Sequence, residues 1–387
     1  MRILMLSPHA HVRSPLTKHT PHLVDSLIRL GCTVDWAPWG HRHEAESLSN
    51  KVVERFRDVL WIRRLVSHRQ FDVLVIKTSH DARTLARDIP LMLLTRRHVP
   101  CIVVQFHGSS PWMLLEPGRR VFKSATKLLL RLTDGAMVLS AEEQRKWQAF
   151  SRDRAPFVVR NPFVPSRELH QERPLPRSTE HPRKGIDVLF VGRLLEQKGV
   201  FDLIEAFAGV AERSSCRLTF VGDGPAATRL EQRVHELGLA GRVTFCGYLE
   251  GDELAVMYRT ADVLVLPSWS EGFPTVITEA MFAGLPIVTT EVGGAIDHLV
   301  EGEHALFVRP HDVRMLSAAL LKISEDAGLR AAMGKANQER VRIFAPERVG
   351  RQYLTVLGEI ADSANVRSPS VRRRLGLTRA GYSRSRS

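Results

Sequence analysis

The 387 residues are too many for one ordinary hydrophobic core, so two domains are expected. Hydrophobic residues make up 44% and no run of about 18 apolar residues exists, which excludes both a disordered chain and a membrane-spanning helix. The net charge of +13 is unevenly spread: residues 1–160 hold 26 Lys and Arg against 14 Asp and Glu, residues 161–366 hold 22 against 28, and 367–387 hold seven Arg and no acid.

In chain order, short apolar runs alternate with amphipathic stretches. Strands are expected at Ile3–Leu6, Thr33–Trp36, Val73–Ile76, Ile102–Gln105, Ala136–Leu139 and Phe157–Val159. Helices are expected at Pro21–Leu30, Val52–Val66, Thr84–Arg96 and Arg119–Leu132. Uninterrupted Val, Ile and Leu runs separated by helices predict a parallel sheet covered on both faces. Five prolines between 161 and 185 mark a linker. The alternation restarts with strands at Val188–Val191, Leu218–Val221, Val243–Cys246, Val263–Leu266 and Ile287–Thr289. Helices near Phe201–Ala211, Ala226–Leu237, Leu254–Tyr258 and Pro274–Ala283 lie between them, and Val313–Ile323, Leu329–Phe344 and Pro346–Ile360 close the chain. The expected division is a first Rossmann-like domain over 1–160, the linker over 161–185 and a second such domain over 186–345. A closing helix over 346–362 and a disordered basic tail over 363–387 complete it.

Both halves therefore read as α/β, doubly wound parallel sheets. Ligands of such sheets bind at the C-terminal strand ends, which places an expected site in an interdomain cleft. The N-terminus reads as a first buried strand, with too short an apolar stretch for a signal peptide. Cys32, Cys101, Cys216 and Cys246 are far apart and read as free thiols of a cytoplasmic protein. No histidine pair has ligand spacing, so no metal site is expected.

The strongest local signal is Glu271-Gly272-Phe273-Pro274-Thr275-Val276-Ile277-Thr278-Glu279. Two acids bracket a Gly turn and a Pro suited to a first helical turn, and Gly284 with Pro286 suits the helix end. Glu271 is then expected ahead of a helix N-terminus, where free N–H groups favour a diphosphate. This segment resembles the Glu-x7-Glu signature of retaining, two-domain (GT-B) glycosyltransferases of family 4, the glycosyl transferases group 1. Four further segments agree in order: Val191-Gly192-Arg193-Leu194 with Lys198-Gly199, Val221-Gly222-Asp223-Gly224-Pro225, Ala261 through Ser268, and Gly293-Gly294. The resemblance is detailed over about residues 186–310 and looser over 1–160.

The resemblance implies a nucleotide-sugar donor held mainly by the second half, without a cofactor or metal. Gly192, Arg193 and Lys198 would meet its diphosphate, and Glu279 its ribose. Glu271 would face the transferred sugar, with backbone groups about Gly272, Phe273, Thr275 and Val276 holding hydroxyls and phosphates. His107, closing the strand Val103–His107, would stand near the sugar as a second catalytic candidate. The implied reaction retains anomeric configuration, by same-face attack or through a covalent carboxylate intermediate. One departure concerns the acceptor. Where the family commonly has Gly-Gly, this chain has Ser14-Pro15, and Pro supplies neither the N–H nor the positive φ of glycine. Arg13 or Lys18 is expected to replace those backbone contacts with charge.

A second feature lies at Gly118–Arg131, where Arg119, Arg120, Lys123, Lys127 and Arg131 carry no intervening acid. A basic amphipathic helix there predicts peripheral contact with an anionic membrane, fitting a glycan or lipid-linked acceptor. A sugar-nucleotide epimerase of the same architecture and a non-catalytic sugar-nucleotide-binding subunit remain as alternatives. No nucleic-acid recognition module accompanies the Arg-rich tail.

Overall fold

A computed structural model describes residues 1–9, 12, 15–40, 48–109, 112–170 and 185–365. The chain divides into two compact units: residues 1–138, 144–159 and from Glu347 onward in the first, 139–143 and 160–346 in the second.

In the first unit the strands are β1 (Arg2–Ser7), β2 (Thr33–Pro38), β3 (Val73–His80), β4 (Cys101–Ser109), β5 (Gly135–Val138) and β6 (Phe157–Val158). The helices between them are α1 (Pro15–Arg29), α2 (Leu48–His68), α3 (Ala82–Thr95), the one-turn α4 (Trp112–Leu115), α5 (Arg120–Leu132) and α6 (Ala141–Phe150), the first turn of α6 belonging to the second unit. The sheet order is β2-β1-β3-β4-β5-β6 and every pairing is parallel. Alternate residues of a strand face opposite sides, and each face has its own core. Ile3, Met5, Val73, Val75, Cys101, Val103 and Met137 pack with Leu23 and Leu27 of α1. Leu4, Leu6, Leu74, Ile76, Ile102 and Val104 pack with Ile62 of α2, Leu91 of α3, Leu129 of α5 and Trp147 of α6.

The second unit contains β7 (Asp187–Val191), α7 (Val200–Ala211), β8 (Arg217–Val221), α8 (Ala227–Glu236), β9 (Val243–Phe245) and α9 (Gly251–Thr260). It continues with β10 (Val263–Leu266), α10 (Thr275–Phe282), β11 (Ile287–Thr290), α11 (Ala295–His298), β12 (Ala305–Val308), α12 (Val313–Glu325) and α13 (Ala327–Arg340). Its sheet, also all parallel, has the order β12-β11-β10-β7-β8-β9. The order reverses between β7 and β10, and the crevice of an open α/β sheet lies at such a reversal.

The last helix, α14 (Pro346–Asn365), returns to the first unit. Its Val349, Tyr353, Leu357 and Ile360 complete the α1 face of the first sheet. Of the span read as linker, Phe163 and Leu169 join the second core, and the Phe163 N–H donates to Phe344 O at 2.8 Å; residues 171–184 lie outside the described residues. So does the basic tail beyond Asn365.

Besides the one-turn helices α4 and α11, two elements go beyond the sequence expectation. Strand β12 is only four apolar residues long, too brief for periodicity to separate strand from helix. Helix α6 buries little besides Glu143 and Trp147, so its amphipathic signal is weak. Its start was nevertheless written as Ser140-x-x-Glu143: Ser140 Oγ accepts the Glu143 N–H at 3.1 Å and Glu143 Oε2 accepts the Leu139 N–H at 3.1 Å.

Candidate active site

The site of the second unit is assembled at the β7/β10 reversal. β7 ends into Gly192 and Arg193, and a single 3₁₀ turn (Glu196–Lys198) follows before α7. β10 runs out through Pro267 and Ser268 to Trp269 and Glu271. Three contacts tie these two loops together. Gly199 adopts φ 67°, and a Cβ there would overlap the Pro267 carbonyl, so only glycine allows the approach. The Trp269 N–H donates to Gln197 O at 2.9 Å. The Trp269 indole donates to Asp202 Oδ2, on the first turn of α7, at 2.7 Å.

The result is a direct ion pair between Lys198 Nζ and Glu271 Oε1. The sequence assigned these residues to different parts of a ligand; in the structure they hold each other. Arg193, by contrast, is exposed and makes no ion pair among the described residues.

Glu271 is braced from behind. The Gly294 N–H donates to Gly272 O, and Gly293, at φ 57°, lies so close that a Cβ would overlap the Glu271 and Gly272 carbonyls. The Gly293 N–H donates in turn to Glu142 Oε2 at 2.6 Å, and Asp297 Oδ2 accepts the Ala141 N–H at 2.6 Å. The first turn of α6 thus secures the loop that secures Glu271. Phe273 stacks on Phe344 with ring centroids 5.0 Å apart and meets the edge of His298 at 5.0 Å. Its side chain anchors the loop.

Pro274 corrects one detail. It is not in the first helical turn but just before it, with φ −74° and ψ 134°, and α10 starts at Thr275. The N–H groups of Thr275 and Val276 therefore fall in the first turn, where a helix has no internal acceptor for them. The helix closes as expected at Gly284, whose N–H reaches Met281 O while Leu285 N–H reaches Ala280 O.

Glu279 sits one turn inside α10 and accepts a hydrogen bond from Tyr258 Oη at 2.7 Å. Burial first, and the Glu279 charge second, push the Tyr258 hydroxyl well above its usual range, so it stays a donor. Tyr258, Trp269, Asp202 and Glu142 were missed in the sequence. Only the Ser140-x-x-Glu143 cap hinted at the last, because each acts across 21 to 151 positions.

The remaining candidates belong to the first unit. His107 is near the end of β4, its Nε2 buried without a partner. Burial, then Lys77 and His19, hold its imidazole well below the ordinary histidine range, so it is neutral at pH 7. Lys18 is exposed on α1. Pro15 is the first residue of that helix, where a missing N–H costs nothing; Arg13 and Ser14 lie outside the described residues. Helix α5 turns Thr126, Leu129 and Leu130 inward and leaves Val121 84% and Leu128 40% exposed. Arg120, Lys127 and Arg131 are exposed. Arg119 and Lys123 are partly committed, to the Glu116 carboxylate at 3.4 Å and the Glu116 carbonyl respectively. The expected acid-free patch therefore has an acid at its edge.

Among the described residues no group of three or more His, Cys, Asp and Glu is arranged to hold a metal ion, and no helix is long and apolar enough to cross a membrane. The four cysteines are free; three are buried and Cys246 is half-buried.

Two Rossmann-like units with a basic, carboxylate-bearing site at the strand reversal of the second define a protein of the GT-B fold. Residues 171–340 match the family model described as Glycosyl transferases group 1. Among curated relatives, an uncharacterized glycosyltransferase of Methanocaldococcus jannaschii is 36% identical over 143 residues, covering 37% of each chain. A D-inositol 3-phosphate glycosyltransferase of Salinispora tropica is 32% identical over 193 residues, covering 47% of this chain and 40% of its own. TuaC of Bacillus subtilis, named for teichuronic acid biosynthesis, is 28% identical over 253 residues, covering 64% and 58%. The chain thus spans less than two thirds of each of these relatives. Solved structures match over nearly the whole chain. HepE of Anabaena with UDP-glucose has a TM-score of 0.69 at 20% identity, covering 93% of this chain and 100% of its own. Sucrose-phosphate synthase of Thermosynechococcus elongatus has 0.71 at 20%, covering 93% and 98%.

Proposed function

We propose that the chain is a retaining glycosyltransferase that moves a sugar from a nucleotide-sugar donor to a glycan or lipid-linked acceptor, in cell-surface polysaccharide or glycolipid synthesis. The observation that carries this reading is the grouping of Arg193, Lys198 and Glu271 at the β7/β10 reversal, with Glu279 one turn inside the helix that follows. Arg193 and Lys198 supply positive charge where a nucleoside diphosphate leaves, which is the charge a glycosyl transfer must stabilise. The first-turn N–H groups of α10 add fixed dipoles for the same phosphates. Glu279, oriented by Tyr258, accepts from the ribose hydroxyls. Glu271 is poised to exchange Lys198 for a sugar hydroxyl when the diphosphate takes over the ammonium. In this scheme the protein positions and neutralises, and the neutral His107 contributes a hydrogen bond in place of a competing charge. HepE and its bound UDP-glucose lend the donor class support by likeness of fold.

The reading places the protein in the cytoplasm, against the inner face of the membrane. Support comes from the outward side of α5 and from α2, which exposes Phe56 (64%), Leu60 (42%) and Trp61 (50%) beside Arg57, Arg63 and Arg64. Aromatic and aliphatic area among arginines suits a lipid headgroup boundary.

The test is a thermal-shift series with UDP, GDP, ADP and their sugar conjugates. A cognate nucleotide at 100 times its dissociation constant should stabilise the fold by about 2.7 kcal/mol. The shift should be lost in Arg193→Ala, and product analysis should then find released nucleotide with the anomeric configuration kept. Conversion of the donor to an isomer without release would favour an epimerase instead, and full turnover in Arg193→Ala would overturn the diphosphate assignment.

A further inference from the structure

The first unit holds a polar cluster of which the reading above uses only His107. Lys77 on β3 pairs in register with Gln105 on β4, and His107 follows two residues later. By strand alternation all three share the face covered by α1 and α14, directly beyond the apolar Val75 and Val103. Lys77 and Gln105 are each only 1% exposed. Lys77 Nζ donates to Thr20 Oγ1 of α1 at 3.1 Å, and no carboxylate among the described residues pairs with it. The Gln105 carbonyl accepts from Tyr353 Oη of α14 at 3.0 Å, while its amide nitrogen and His107 Nε2 are buried without partners.

An ammonium carries three donor hydrogens and a side-chain amide two. The cluster is accordingly rich in N–H donors and poor in acceptors. Buried polar groups without partners are costly, and a buried cation without a counter-charge more so. A ligand that brings oxygen acceptors and negative charge satisfies both deficits. The cluster also stands by the β1/β3 reversal of the first sheet, the position at which open α/β sheets receive ligands.

We propose that Lys77, Gln105 and His107 form a binding site for an oxyanion, the phosphate or carboxylate group of a molecule taken up by the first unit. The inference rests on the transferase reading for its biological meaning, but binding requires no turnover. Burial lowers the Lys77 amine to about 7, so at neutral pH part of the population is uncharged. Anion binding then draws a proton onto Lys77, and affinity falls as pH rises through that value. The other titratable groups facing His107 are His19 and Lys77 itself, both basic.

The experiment is calorimetric titration of the full-length protein with sulfate and with acetate, neither of which changes charge between about pH 6 and 9. Arg193→Ala protein serves as background, removing one cation of the second unit's site. Sulfate or acetate should bind in that background and lose at least tenfold in affinity in both Lys77→Met and Gln105→Leu. Affinity should drop by up to about tenfold per pH unit above 7, with proton uptake visible as a dependence of heat on buffer. Preference for sulfate marks a phosphate site and preference for acetate a carboxylate site. Binding of neither anion, or binding indifferent to both substitutions or to pH, overturns the proposal. Nucleotide binding measured on the Lys77→Met and Gln105→Leu chains carrying native Arg193 verifies their folding. If no nucleotide binds the native chain while sulfate still depends on Lys77, the transferase reading fails and the oxyanion site stands.

Discussion

Lys198 and Glu271 are 73 positions apart in the chain and form a direct ion pair at the strand reversal of the second unit. Both side chains are mostly buried, and each is the other's electrostatic partner until a ligand arrives. Removing either should therefore harm ligand handling more than folding. Lys198→Ala is expected to lower kcat/KM by about 100-fold or more, since a charge aimed at the leaving group is lost. Glu271→Gln keeps the shape and should reduce turnover while leaving nucleotide affinity equal or higher, because Lys198 is released. Steady-state kinetics with paired nucleotide titrations check both.

The brace behind Glu271 gives a second expectation. In Gly293→Ala the methyl group would overlap the Glu271 and Gly272 carbonyls, so the loop must move. Turnover should fall at least tenfold, with a loss of stability on the order of 1–3 kcal/mol from the strained positive φ. Glu142→Ala removes only the carboxylate that receives the Gly293 N–H. It should give a smaller loss in the same direction, visible in kcat and in the denaturation midpoint.

Tyr258→Phe tests the ribose assignment. The substitution deletes one hydrogen bond to a carboxylate, worth about 1.5–3 kcal/mol when the acceptor is charged. Donor KM should rise several-fold while kcat changes little, because Glu279 loses its orientation and not its charge. An unchanged KM would remove Glu279 from the donor site.

Vesicle sedimentation checks the membrane face. Wild-type protein should bind vesicles containing anionic lipid at low salt and release as ionic strength rises. Replacing Phe56 and Trp61 by serine should weaken binding at every salt concentration, whereas replacing Arg120 and Arg131 by glutamine should flatten the salt dependence. Indifference to anionic vesicles would detach the protein from the membrane.

Acid stability follows from two buried histidines. Burial holds His80 and His298 at about 4, each below the ordinary 6.5. Between those values the unfolded chain binds the extra protons, so stability is present above about pH 6.5 and is lost as pH falls toward 4. The upper bound is about 3 kcal/mol for each residue. Urea denaturation at pH 7 and 5 should show the midpoint falling with acid, and His80→Phe should reduce that fall.

Much of this protein is written locally. Continuous Val, Ile and Leu runs dictate strands buried on both faces, and Gly192, Gly272 and Gly284 mark turns that a chain must make wherever it folds. The order of motifs from Gly192 to Gly294 was therefore legible, and the resemblance these motifs carry is what drew Arg193, Lys198, Glu271 and Glu279 into one expected site. Their pairing was not. Side chains such as Lys198 and Glu271 have no preference for each other at 73 positions' distance; only the crossing of β10 back beside β7 brings them together. The same holds for Tyr258, Trp269 and Glu142, ordinary residues in sequence that become supports once α9, β10 and α6 are packed.

The sequence by itself determined two α/β units, the place of the Glu271–Glu279 segment and the excess of positive charge in the first half. Those properties depend on backbone preference, hydrophobic period and composition, which act over a few residues at a time. The tertiary structure decided that α14 completes the first unit, that Glu142 holds Gly293, and that Lys77 is buried facing Thr20 without a counter-charge among the described residues. Each of these is a contact between distant segments, whose energy exists only after the sheets have formed and water has been excluded.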